Sequence, residues 1–160
     1  MDELIYGVWK GRAYDNRRTI DGKAPEGLLA FNSGNPVAGF AGPQGFLMFD
    51  NRVTLADVLL SYYKRVRELA CGRCTPCRAG GVMIVEALEA ACEGRGSEVD
   101  WERIRDIALQ MKETSLCGIG LTTPELILGA LEHFPELLVN APVMPATQRD
   151  FISVATAPCI

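Results

Sequence analysis

TLADVLLSYYKRVRELACGRCTPC, residues Thr54–Cys77, joins an amphipathic helix to a loop of three evenly spaced cysteines. Leu55, Val58, Leu59, Tyr62, Val66 and Leu69 recur at helical spacing, so one face of the segment is apolar. Thr54 can cap the helix, with Asp57 in place of the usual capping-box Glu. The pattern predicts a helix over 54–70, ending at a Cys71–Cys77 loop. Downstream, Val82, Val85, Leu88 and Cys92 mark a second helix over 78–92, stopped by Gly94 and Gly96. Asp100 is a good N-cap for a third, with Trp101, Ile104, Ala108 and Met111 on one face. The loop TSLCGIGL carries Cys117. A fourth helix is expected from Thr123, with Pro124 in its first turn and Ile127, Leu128, Leu131 and Phe134 as its core face. Pro135 closes or kinks it. The expected fold is mainly α, a small four-helix bundle over residues 51–138. Each cysteine loop joins consecutive helices, so an up-down-up-down bundle puts both loops at one end.

The flanks read differently. Residues 1–50 hold eight of the sixteen glycines, with Pro25, Pro36 and Pro43. No helical periodicity survives that density of breakers. An irregular glycine-rich arm is expected, with at most short strands such as Gly45–Phe49, packed on the helices or on a partner. Residues 139–160 hold Pro142, Pro145 and Pro158 and read as an extended tail.

Composition narrows the function. The 160 residues carry a net charge of −4, with a pI near 5.1. Nucleic-acid binding needs a basic surface and is not expected. No apolar run approaches the roughly 18 residues of a membrane span. The opening MDELIYGVWKGR lacks a basic and then apolar leader, so a cytoplasmic chain is expected. In that compartment clustered cysteines point to metal or redox chemistry rather than disulfides.

Four of the six cysteines form a ligand-like set: Cys71, Cys74 and Cys77 as C-x2-C-x2-C, then Cys117 after 39 residues. Four thiolates are the usual complement of a [4Fe–4S] cluster, and the remote Cys117 completes three ligands on one loop. Arg73 and Arg78 can offset the cluster's negative charge. Gly72, Gly80, Gly81, Gly118 and Gly120 expose N–H groups that can donate to sulfur. Pro76 stiffens the turn. Two other readings use the same residues. A four-cysteine zinc site also employs C-x2-C, though typically in two pairs. Cys74-Thr-Pro-Cys77 has the length of a thiol–disulfide motif, but lacks a βαβ setting.

ACGRCTPCRAGG, followed by SLCGIG, resembles the C-terminal iron–sulfur domain of the flavin-bearing subunit of NADH:quinone oxidoreductase (complex I). The same domain occurs in diaphorase subunits of NAD-linked hydrogenases and formate dehydrogenases. The resemblance spans about residues 45–138. It implies a four-helix bundle around one [4Fe–4S] cluster, with Cys71, Cys74, Cys77 and Cys117 as ligands. It also implies flavoprotein and other iron–sulfur subunits as partners. The family's FMN- and NADH-binding domain has no counterpart here, and no G-x-G-x-x-G occurs. Flavin binding and NADH oxidation are therefore not carried over. The expected role is a non-catalytic electron-transfer subunit of an NAD(P)-linked oxidoreductase.

The remaining candidates have plainer readings. Cys92 lies on an apolar helix face and suits the core. Cys159 is read as a surface thiol in the tail. His133 suits a helix C-terminus. Tyr62 and Tyr63 follow the apolar stripe. Lys64, Arg65, Arg67 and Glu68 form a solvated face.

Overall fold

A computed structural model describes residues 4–17 and 37–156. Gly22, Pro25, Gly27, Gly34, Pro36, Pro158 and Cys159 lie outside the described residues. The first helix, α1, spans Leu55–Leu69. Its capping box forms: the Thr54 hydroxyl accepts from the Asp57 N–H at 3.1 Å, and the Asp57 carboxylate accepts from the Thr54 N–H at 3.3 Å. Helix α2 spans Thr75–Ala90 and starts earlier than its apolar stripe implies. Pro76 belongs to its first turn, where a missing N–H does no harm, so Cys77 stands on the helix rather than in the loop. Gly94, at φ 81°, ends the turn that follows.

Helix α3 spans Trp101–Thr114, with the Asp100 carboxylate accepting from the Arg103 N–H at 3.0 Å. A five-residue helix, α4, covers Gly118–Thr122, and α5 covers Pro124–His133. Thr123 holds the N-cap position of α5, as expected, but its side chain makes no capping bond. Its backbone is itself helical, and its hydroxyl donates to the Ile119 carbonyl at 2.7 Å. Phe134 breaks the helix and α6 follows over Pro135–Val139. Among the described residues no helix is long and apolar enough to cross a membrane.

The expectation of a mainly α four-helix bundle, with an irregular arm and an extended tail, is overturned by a five-stranded mixed sheet. Its strands are β1 (Tyr6–Trp9), β2 (Arg12–Asp15), β3 (Gly39–Gly42), β4 (Gly45–Met48) and β5 (Ile152–Val154), in the order β2-β1-β4-β3-β5. All neighbours are antiparallel except β3 and β5, which run parallel. The glycines read as breakers serve the turns. Lys10 and Gly11, with φ of 50° and 74°, form the two-residue link between β1 and β2. Two positive-φ residues give the link the twist a tight hairpin requires. Gly45, at φ 144°, opens β4 where an added Cβ would press into the Val8 carbonyl oxygen.

Strand β4 explains why GFLMF reads as one apolar run. Phe46 and Met48 face the helices, while Leu47 and Phe49 join Leu4 and Phe40 on the other face, and all are buried. A strand buried on both faces loses the polar alternation that announces a half-exposed one. The helix-side core runs without a break from Tyr6, Val8 and Ala41 into Val58, Leu59, Ile84, Leu88 and Ile127.

The tail is latched. The Ala38 N–H donates to the Phe151 carbonyl and the Ala155 N–H to the Ala41 carbonyl, at 2.8 and 2.9 Å. Arg52 stacks its guanidinium 4.2 Å over the Phe151 ring. Arg149 reaches Asp57 at 3.0 Å. That carboxylate is only 3% exposed, and its partners Thr54 and Arg149 supply what a buried charge needs.

Candidate metal centre

The Cys71–Cys74 loop is held by its neighbours. Helix α1 ends at Ala70, whose N–H still donates to the Val66 carbonyl at 2.8 Å. Gly72 then turns the chain at φ 73°. Cys74 is the N-cap of α2 and makes no side-chain cap bond. Arg78, from the first turn of α2, donates back to the Gly72 carbonyl at 2.9 Å, which ties the loop onto the helix. The positive end of the α2 dipole therefore lies at Cys74 and Cys77.

Cys117 arrives from the second loop, between α3 and α4. It is the N-cap of α4, again without a side-chain cap bond. Tyr63 of α1, buried, donates to the Thr123 carbonyl at 2.6 Å and fixes the end of α4. Gly120 is buried against Ser115, and a Cβ placed on it would lie 3.5 Å from the Cβ of Cys77. Only a residue without a side chain lets α4 approach α2 this closely.

Electrostatics link the two cysteine-bearing stretches. Burial first, then the Cys117, Cys74 and Cys71 thiols, hold the Cys77 pKa above its usual value. Cys77 thus senses the thiols of both its own stretch and the second loop. Among the described residues, no three or more His, Cys, Asp or Glu side chains are grouped so that they could hold a metal ion. Met111 and Ile119 are buried nearby, with Leu69, Ala70 and Ile107 packed on the same core.

Ser115 joins the site without any announcement in the sequence. It is the C-cap of α3, two residues before Cys117, and its hydroxyl is buried with no hydrogen-bond partner among the described residues. The only local signal is the short TSLC stretch, which does not disclose burial.

The other candidates take other places. Cys92 is 8% exposed beside Asp57. Burial, then the Asp57 carboxylate, pushes its thiol up to about 12, and the thiol donates to that carboxylate. Because the thiolate is the nucleophile, Cys92 stays protonated and inert through neutral pH. Folding stability from this thiol is full below its ordinary pKa near 9 and is lost as pH climbs toward about 12. In the native chain at pH ~8, a thiol reagent should leave Cys92 unlabelled until denaturant is added. Rapid native labelling, located by peptide mapping, would contradict its burial.

His133 is in the last turn of α5, 3.9 Å from Glu132. Tyr62 and Tyr63 are each 1% exposed, with ring centroids 5.5 Å apart. Lys64 pairs with Glu89 at 2.9 Å and Arg65 with Glu68 at 2.8 Å.

Known proteins resemble this chain. The sequence pattern of the NADH-ubiquinone oxidoreductase-F iron-sulfur binding region matches residues 57–141. The NADP(+)-dependent formate dehydrogenase subunit beta of Moorella thermoacetica is 31% identical over 138 residues, which is 86% of this chain and 19% of that protein. The NADPH-Fe(3+) oxidoreductase subunit beta of Geobacter sulfurreducens is 28% identical over an alignment of 166 residues, 100% of this chain and 25% of that protein. A crystal structure of an NAD+-reducing [NiFe]-hydrogenase in the H2-reduced state aligns at a TM-score of 0.53 and 27% identity, over 62% of this chain and 17% of that one. The chain thus spans about a fifth to a quarter of the length of these curated relatives. With more than half its residues inside the pattern, including the C-x2-C-x2-C loop and Cys117, this chain belongs to the NADH-ubiquinone oxidoreductase-F iron-sulfur binding region family.

Proposed function

We propose that this chain holds one [4Fe–4S] cluster on Cys71, Cys74, Cys77 and Cys117. It relays single electrons within a larger flavin-dependent, NAD(P)-linked oxidoreductase. The observation that supports this reading is the family's iron–sulfur region over residues 57–141, which contains all four cysteines, with the Cys77 thiol raised electrostatically by the other three.

The residues suit the group. Four thiolates match the donor set of a cubane cluster. The α2 N-terminus, Arg73 and Arg78 offset its negative charge. The buried, unpartnered Ser115 hydroxyl is a donor awaiting an acceptor. When bound, the cluster supplies one-electron oxidation and reduction, and the protein supplies ligation, burial and tuning. Cys71 is exposed while Cys74, Cys77 and Cys117 are half-buried, so one corner of the site faces outward toward a redox partner. Residues 51–138 are the iron–sulfur unit in this reading, with 1–50 and 139–160 as its flanks. The partners are flavoprotein and other iron–sulfur subunits, in the cytoplasm.

Metal analysis is the test. Anaerobically purified protein should be brown, with about four iron and about four sulfide per chain. Colourless protein with one zinc per chain would instead establish a zinc-stabilised four-cysteine interaction module and overturn the relay.

A further inference from the structure

We infer that Ser115 donates a hydrogen bond from Oγ to a sulfur of the cluster and raises its reduction potential. The inference rests on the cluster reading above. Ser115 is 7% exposed and its Oγ is fully shielded, yet the oxygen has no partner among the described residues. Buried hydroxyls almost always find one, and leaving one unpaired is costly.

Its position supplies the missing acceptor. Ser115 ends α3, and Cys117 opens α4 two residues later. The side chains of Ser115 and Cys77 flank the same point above Gly120: a Cβ there would press on Ser115 Cβ and Oγ and lie 3.5 Å from Cys77 Cβ. The unpaired hydroxyl thus lies beside Gly120 on the side that faces Cys77, two residues before Cys117 in the chain. The backbone of Ser115 is already committed, its N–H donating to the Met111 carbonyl at 3.1 Å. The hydroxyl contributes nothing to capping α3 or α4.

A donor to cluster sulfur stabilises the reduced state more than the oxidised one, because reduction adds negative charge. Ser115→Ala should keep full iron and sulfide. Its midpoint potential, from a redox titration followed by electron paramagnetic resonance, should fall. The expected fall matches about a tenfold weaker reduction equilibrium, about 59 mV for one electron. Electron–nuclear double resonance in D2O should show one exchangeable-proton coupling lost from the variant. Ser115→Thr keeps the hydroxyl and should keep both the potential and the coupling.

A fully loaded Ser115→Ala with unchanged potential and unchanged coupling overturns the inference and leaves the relay intact. If Ser115→Ala loses its cluster while Ser115→Thr retains one at the original potential, the hydroxyl role stands. If both lose it, the role is steric and the inference falls. Absence of iron from the unmodified chain overturns the relay and this inference together.

Discussion

Cys117→Ser should reduce the iron content from about four per chain to about three or fewer, with a three-iron signal or outright cluster loss. Serine keeps the shape but replaces a soft thiolate with a hydroxyl that ionises poorly, so one corner of the cube loses its ligand. The other three cysteines lie on one short stretch and survive as a unit. Cys117 alone comes from the second loop, so its removal also severs the link between α4 and the α2 N-terminus that the cluster would make. Cys92→Ser is the control. That thiol is buried beside Asp57 at the far end of α2, and its replacement should leave iron unchanged while costing some stability. Iron and sulfide analysis of the two variants, purified anaerobically, decides the matter. Equal loss in both would mean that the ligand set is wrong.

The cysteine set stands out in the sequence because its chemistry is local. Three thiols at a spacing of three, and one more before a glycine pair, need no tertiary information to be noticed. The helices are legible for a related reason: α1 and α3 carry apolar stripes over four turns, and Thr54 and Asp100 mark their starts. The first turn of α2 is not legible, because Pro76 fits a stiff loop as well as a helix N-terminus. Only the Arg78 N–H to Cys74 carbonyl bond, at 2.9 Å, tells them apart.

The sheet is hidden for physical reasons too. Its strands are three or four residues long, below the length at which alternation can be counted. Strand β4, which the sequence does suggest at Gly45–Phe49, is buried on both faces and shows an apolar run in place of alternation. Strand β5 is made a strand by pairing with β3, more than a hundred residues earlier, and no local pattern encodes such a partner. The glycines of the first fifty residues look like breakers in the sequence, whereas Gly11 and Gly45 are the residues that permit the hairpins. Ser115 gives no sign because an orphaned hydroxyl exists only after α3 and α4 have packed.

Phe134→Ala should lower stability by about 3–5 kcal/mol, the range for deleting a fully buried phenyl ring. Phe134 is 1% exposed and is the break between α5 and α6. Its ring meets Tyr6 of β1 at 5.1 Å and Phe46 of β4 at 6.2 Å between centroids. Arg17, just past β2, stacks over both Tyr6 and Phe134, at 5.2 and 5.1 Å, and pairs with Glu136 of α6 at 3.2 Å. One side chain therefore joins the sheet to the helices, and its loss opens a cavity at that joint. For a chain of this size, such a loss lowers the melting temperature by about 10 °C. Trp9 lies on β1 and Trp101 on α3, so single-tryptophan variants can watch the two layers separately. Sheet and helices share one unbroken core. The Trp9 signal, the Trp101 signal and the far-ultraviolet circular dichroism should then move together to lower urea, with coincident midpoints. A Trp9 transition that shifts alone, leaving the helical signal in place, would show that the sheet melts off a helical unit that stands by itself.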